Sequence, residues 1–131
     1  MTVNDIIDRH QSHVHTIEPG ASVQAAVQLM ASERISALPV LEGDALVGII
    51  SERDYIRKVA SQRIPAWSVK IAEVMTRDVI TVAPGDSISH CMKLMTANRI
   101  RHLPVLTDGR LTAIISITDV MRALDAAGQG G

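Results

Sequence analysis

The sequence predicts an α+β fold: two β-α-β-β-α repeats related by a pseudo-twofold axis and packed sheet to sheet. Three observations predict it. A ten-residue run occurs twice, as Gly48-Ile-Ile-Ser51-Glu-Arg-Asp54-Tyr-Ile-Arg57 and as Ala113-Ile-Ile-Ser116-Ile-Thr-Asp119-Val-Met-Arg122. The pattern around it returns at one offset of 65 residues: Pro19-Gly20-x-Ser22 matches Pro84-Gly85-x-Ser87, and Arg34-Ile-x-x-Leu38-Pro39-Val40-Leu41 matches Arg99-Ile-x-x-Leu103-Pro104-Val105-Leu106, with no gap between Pro19 and Arg57. Each copy, at roughly 45 to 50 residues, is too small to cover its own sheet, so the two sheets are expected to cover each other.

Val3, Ile6 and Ile7 fall on one side of a short helix over residues 2–8, capped by Thr2 or Asn4. Residues 10–15, with His10, His13 and His15, read as a loop entering a strand. Glu18-Pro-Gly-Ala-Ser22 is a turn ending in an N-cap, and behind it Val23, Ala26, Val27 and Met30 recur at i, i+3, i+4 and i+7, the spacing of an amphipathic helix. Apolar runs over 35–41 and 46–51 flank Glu42-Gly43-Asp44-Ala45 and predict a hairpin, followed by a helix from Glu52 to about Gln62. Residues 61–70, with Pro65 and the single Trp67, form a linker. The second copy then repeats the first, with Ile88, Cys91, Met92 and Met95 on its helix face and a stronger hairpin signal in Asp108-Gly109. The expected division is 1–62 for the first repeat with its N-terminal helix, 63–73 for the linker, 74–127 for the second repeat and 128–131 for a flexible tail.

Charge and composition exclude several functions. With 13 Lys+Arg against 14 Asp+Glu, the chain has no basic field for nucleic acid or an anionic membrane. One Trp, one Tyr and no Phe leave no platform on which bases could stack, so any purine must lie between aliphatic side chains. No run approaches the ~18 apolar residues of a membrane span, and residues 1–12 lack the apolar core of a signal peptide. A lone cysteine, Cys91, makes no intrachain disulfide. A cytoplasmic setting is expected.

The repeated run carries the chemistry. In each copy an apolar strand meets a helix start at a Ser, with an Asp three residues on. Helix N–H groups favour anions, a hydroxyl can bond a phosphate or sugar oxygen, and a carboxylate can accept from a ribose diol. That combination suits a nucleotide. Ser-x-x-Asp is also a capping box, in which each side chain bonds the other's backbone N–H. By the same plain reading, Arg57 and Arg122 are surface i,i+3 partners of Asp54 and Asp119.

Taken together, the Arg-Ile-x-x-Leu-Pro-Val blocks, the Ile71-Ala-Glu-Val-Met75-Thr76 segment leading into Val79-Ile-Thr-Val, and the Gly/Ala-Ile-Ile-Ser-x-x-Asp-x-x-Arg runs resemble the CBS (cystathionine β-synthase) domain family in its tandem-pair form, the Bateman module. The resemblance covers about Asp5 to Leu124. It implies a regulatory module that binds an adenosine ligand, such as AMP, ADP, ATP, NAD or S-adenosylmethionine, in clefts between the repeats; some family members bind nothing. For one cleft it implies Ser116 and Asp119 on ribose or phosphate, Arg101 and His102 facing the phosphates, Ile114 and Arg122 nearby, and Ile35 and Ser12 opposite. For the other it implies Ser51 and Asp54, with Arg53, Arg57 and Ile49, facing Ile100 and the segment 72–77 that ends in Arg77, and Lys70 reaching in from the linker. Ser36-Ala37 stands where the second repeat has Arg101-His102, so the Ser116 cleft is the one expected to hold a charged nucleotide.

Other chemistry fits less well. The scattered histidines and Cys91 do not provide the three or four ligands of a zinc site, and Cys91 on an apolar helix face reads as core. No nucleophile stands beside a base, so an enzyme is not expected. Two classes of function remain: a nucleotide sensor read out by a homodimer or an effector protein, and a ligand-free pair acting in dimerisation or protein interaction.

Overall fold

In chain order the elements are α1 (Val3–His10), α2 (Val23–Glu33), β1 (Ala37–Glu42), β2 (Ala45–Ser51), α3 (Glu52–Lys58), α4 (Ile71–Val74), α5 (Ile88–Asn98), β3 (His102–Thr107), β4 (Arg110–Ser116) and α6 (Ile117–Gly130). Short 3-10 turns follow α3 at Ala60–Gln62 and precede α4 at Ala66–Ser68. The structure is a computed structural model and describes residues 1–10 and 14–130. It divides into two units, His15–Val79 and a second made of Met1–Val14 with Ile80–Gly131.

In the His15–Val79 unit, Ser22 caps α2 by accepting the Ala25 N–H at 3.1 Å, and Val23, Ala26 and Met30 are buried on one face, as their spacing predicts. They pack with Leu38, Val40, Ile50, Val59, Ile71 and Met75. β1 and β2 pair antiparallel, with a bulge where Val40 faces Gly48 and Leu41 faces Leu46. The second unit repeats this plan: Ser87 accepts the His90 N–H at 3.0 Å, β3 pairs with β4, and Val3 and Ile6 of α1 join Ile88, Cys91, Met95, Leu103, Val105, Ile115 and Val120 in its core. The hairpin turn at Asp108-Gly109 has both residues at positive φ, 52° and 80°, the requirement of a type I′ turn that Asp-Gly meets.

The strand expected to open each repeat is a single parallel bridge, Ile17 to Val40 in one unit and Val82 to Val105 in the other. Proline explains why. Ile17 N–H donates to Pro39 O and Leu41 N–H to Ile17 O, so the next rung toward the N-terminus needs an N–H from residue 39, which proline lacks. Pro104 stops the Val82 ladder in the same way, with Val82 N–H on Pro104 O and Leu106 N–H on Val82 O.

Three further expectations differ from what the chain does. The helix begun at Glu52 ends at Lys58 instead of near Gln62, because Val59 turns out of helical geometry (φ −123°, ψ −65°) as it enters the core with no exposure. The N-terminal helix, placed with the first repeat, packs in the second repeat's unit, since Val3 and Ile6 complete that core and Val3 N–H and Asn4 N–H bond the carbonyls of Asp86 and Pro84. Residues 71–79, placed in the linker and second repeat, pack instead with the first, where Ile71 is fully buried.

Candidate functional site

Each repeated run makes a corner where a strand feeds a helix. At the first, Ser51 ends β2 in extended geometry (φ −123°, ψ 166°) and caps α3. Asp54 N–H donates to Ser51 Oγ at 3.2 Å, while Asp54 Oδ2 accepts Ser51 N–H at 3.0 Å and the Ser51 hydroxyl at 3.1 Å. At the second, Ser116 N–H donates to Asp119 Oδ2 at 2.8 Å and Asp119 N–H to Ser116 Oγ at 3.2 Å. Both are closed capping boxes, so the local reading of Ser-x-x-Asp holds in both units.

The remaining carboxylate oxygens differ. Asp54 Oδ1 lies 3.0 Å from the Lys58 ammonium and accepts the Thr76 hydroxyl at 3.3 Å; the residue is buried, at 9% exposure. Lys58 also donates to the Val74 carbonyl at 2.8 Å, and Ile49 and Thr76 exchange backbone bonds of 2.9 Å in both directions. Segment 72–77, expected opposite the Ser51 corner, therefore lies beside it in the same unit. Asp119 is half-buried, and its Oδ1 has no hydrogen bond among the described residues. The i,i+3 pairs expected of Arg57 and Arg122 do not form: Asp54 takes Lys58 one position further on, and the exposed Arg122 guanidinium has no partner among the described residues.

Around Asp119 the second unit gathers Arg101, His102 and Ser116. The β3–β4 register sets His102 opposite Ser116, and the Arg101 carbonyl accepts the Ile117 N–H at 2.8 Å, which pins residue 101 at the start of α6. The Arg101 side chain is exposed and makes no hydrogen bond or ion pair among the described residues. Burial, and then the Arg101 charge, lower the His102 pKa from the ordinary 6.5, with Asp119 pulling the other way, so the imidazole is neutral at pH 7. A neutral ring, a guanidinium, a hydroxyl and a carboxylate oxygen can together hold a phosphate or a sugar diol. In the first unit Ser36 takes the place of Arg101, and its carbonyl accepts Glu52 N–H at 3.0 Å.

The other expected residues are more dispersed. Ile35 and Ile100 are half-buried against the cores of their own units, Ile49 is tied to Thr76, and Ile114 sits opposite Pro104 on β4. Arg53 and Lys70 are exposed, and Arg77 donates to the Ala72 carbonyl at 2.9 Å. Ser12 lies outside the described residues. Thr76 belongs to the segment 72–77 expected at this corner, whereas Lys58 was not among the expected residues; the Asp54–Lys58 spacing of i,i+4 is the signal that points to the lysine.

The family model for the CBS domain matches residues 3–61 and 71–126. The chain belongs to the CBS domain family. Its nearer relatives include a mitochondrial CBS domain-containing protein of Arabidopsis thaliana, 43% identical over 108 residues, which are 79% of this chain and 52% of that protein. Among solved structures, a protein with CBS domains from Burkholderia ambifaria superposes with a TM-score of 0.92 at 40% identity, covering 96% of this chain and 95% of that one. A hexameric CBS-CP12 protein from bloom-forming cyanobacteria gives 0.85 at 28% identity, covering 98% and 74%. The chain spans between 21% and 52% of the length of the first curated relatives it matches. CBS pairs are regulatory modules and commonly bind adenosine-containing ligands. No helix among the described residues is long and apolar enough to cross a membrane.

Proposed function

We propose that this CBS pair is a non-catalytic regulatory module that senses an adenine nucleotide (AMP, ADP, ATP or NAD) at the Ser116 corner. The observation that carries the reading is the pinning of Arg101 to the start of α6 beside an Asp119 that keeps one carboxylate oxygen unbonded among the described residues. Asp119 Oδ1 would accept from the ribose diol, Ser116 would donate to ribose or phosphate, and Arg101, with Arg122 one turn along α6, would supply the positive charge a phosphate needs. His102, neutral at pH 7, would contribute a ring N–H without adding charge. Titrating the chain with AMP, ADP, ATP, NAD and S-adenosylmethionine while following thermal unfolding tests this. A ligand at about 100 times its Kd stabilises by roughly 2.7 kcal/mol, which moves the midpoint by several degrees. If all five leave the curve in place, the reading fails.

One observation favours the second reading, a ligand-free interaction module: both acids bond their own cap residues, so each Ser-x-x-Asp pair is already accounted for as a helix cap. Under either reading we propose a homodimer that passes a signal to an effector protein. It is supported by Ile56 on α3 and Met121 on α6, matching positions that are 57% and 56% exposed although apolar. Light scattering should return twice the 14.1 kDa of the chain; a mass of one chain at micromolar concentration removes the dimer.

A further inference from the structure

Lys58 holds the one oxygen of Asp54 that the capping box leaves over. Its ammonium sits 3.0 Å from Asp54 Oδ1 and donates to the Val74 carbonyl at 2.8 Å, while Thr76 Oγ1 donates to the same Oδ1 at 3.3 Å. With Ser51 on Oδ2, both carboxylate oxygens of Asp54, whose side chain is 12% exposed, are filled by the protein. The matching position of the second repeat is Ala123, half-buried against its core and without a donor. Asp119 Oδ1 accordingly accepts nothing from the described residues.

A donor tethered one helical turn away competes with a free ligand at a high effective concentration, because its loss of translational freedom is already covered by the fold. A ribose hydroxyl reaching Asp54 would have to displace an ammonium that is also satisfying Val74. The second corner presents no such competitor among the described residues. We infer that Lys58 is a built-in occupant of the first corner, that residue 123 is the specificity-determining position of the second, and that the chain takes one adenine nucleotide, at Ser116 and Asp119. This deepens the nucleotide reading above and rests on it.

Calorimetric titration of the full chain with ATP tests the inference in three proteins. The chain itself should bind one equivalent. Ala123→Lys places an ammonium four residues beyond Asp119, as Lys58 is placed beyond Asp54, and should weaken ATP binding at least tenfold. Ala123→Met adds similar length without charge and should stay within about threefold of the unmodified chain. Two equivalents bound by the unmodified chain, ATP affinity unchanged in Ala123→Lys, or an equal loss in Ala123→Met would each overturn the inference and leave the nucleotide reading standing. No ATP binding by the unmodified chain would overturn the inference alone, because the nucleotide reading falls only when all five ligands leave the unfolding curve in place. The site count needs no variant, so a poorly folded Ala123→Lys still leaves the single-site claim decided.

Discussion

The two corners share a Ser, an Asp and a capping box, and they differ in everything the Asp does with its second oxygen. At Asp54 that oxygen ties together three pieces of the first unit: α3 through Lys58, the loop after α4 through Thr76 and, through the lysine, the end of α4 at Val74. At Asp119 it ties nothing together among the described residues. A second difference runs the same way. Gly48 lies under Met75 and Thr76, where a methyl group would come within 2.6 Å of Met75 Sδ and 3.1 Å of the Thr76 carbonyl, whereas Ala113 at the matching position is fully buried in its own core. Duplication has thus left one corner committed to holding its unit together and the other with spare bonding capacity, and spare capacity is what a ligand requires.

The strongest way to break this comparison is to remove each carboxylate. Asp54→Ala deletes a buried acceptor of two Ser51 bonds, the Thr76 bond and the Lys58 pair, and should cost about 3 kcal/mol, since bonds to charged groups are worth about 1.5 to 3 kcal/mol each and those the solvent replaces count for less. Asp119→Ala loses the return bond of a single capping box and should cost about 1 kcal/mol. Denaturant unfolding of the two variants gives the contrast directly. Equal losses would mean that the Lys58 and Thr76 ties contribute nothing and that the corners are energetically alike.

Local rules made much of this legible. Ser22, Ser87, Ser51 and Ser116 announce their helix starts because a cap needs only residues three apart, and Asp108-Gly109 announces its hairpin because only such residues accept two positive φ angles in a row. The 65-residue offset carried the two-repeat plan, and the motifs carried the family. What the sequence did not disclose depends on which distant segment fills a gap. Nothing local to Val3 and Ile6 says that α1 completes the second core, nor to Ile71 that it completes the first. Arg57 and Lys58 both lie within reach of Asp54 by helical spacing; the lysine wins in a structure where the Val74 carbonyl stands ready to share its ammonium. The candidate site follows the same division: Ser116 and Asp119 stand three residues apart in a repeated run and the family resemblance adds Arg101 and His102, while the residue that distinguishes the corners, Lys58, acts through a carbonyl 16 positions away.

The smallest effect sharpens the comparison through pH. His102 occupies the position that Ala37 holds in the first repeat, so any titration it causes belongs to the second unit. Its folded pKa lies below 6.5, held down first by burial and then by Arg101, with Asp119 opposing. The sign follows from proton uptake. Below about pH 6.5 the unfolded chain gains a proton that the folded chain resists, so stability should fall as pH drops from there toward the folded pKa and then level off. His102→Gln keeps a polar side chain of similar reach and removes the titration, so its unfolding free energy should decline less than that of the unmodified chain between pH 7 and 5. A bound phosphate at Arg101 would favour the protonated ring and shrink the same decline in the unmodified chain, whereas a corner that binds no anion would show identical pH profiles with and without ATP.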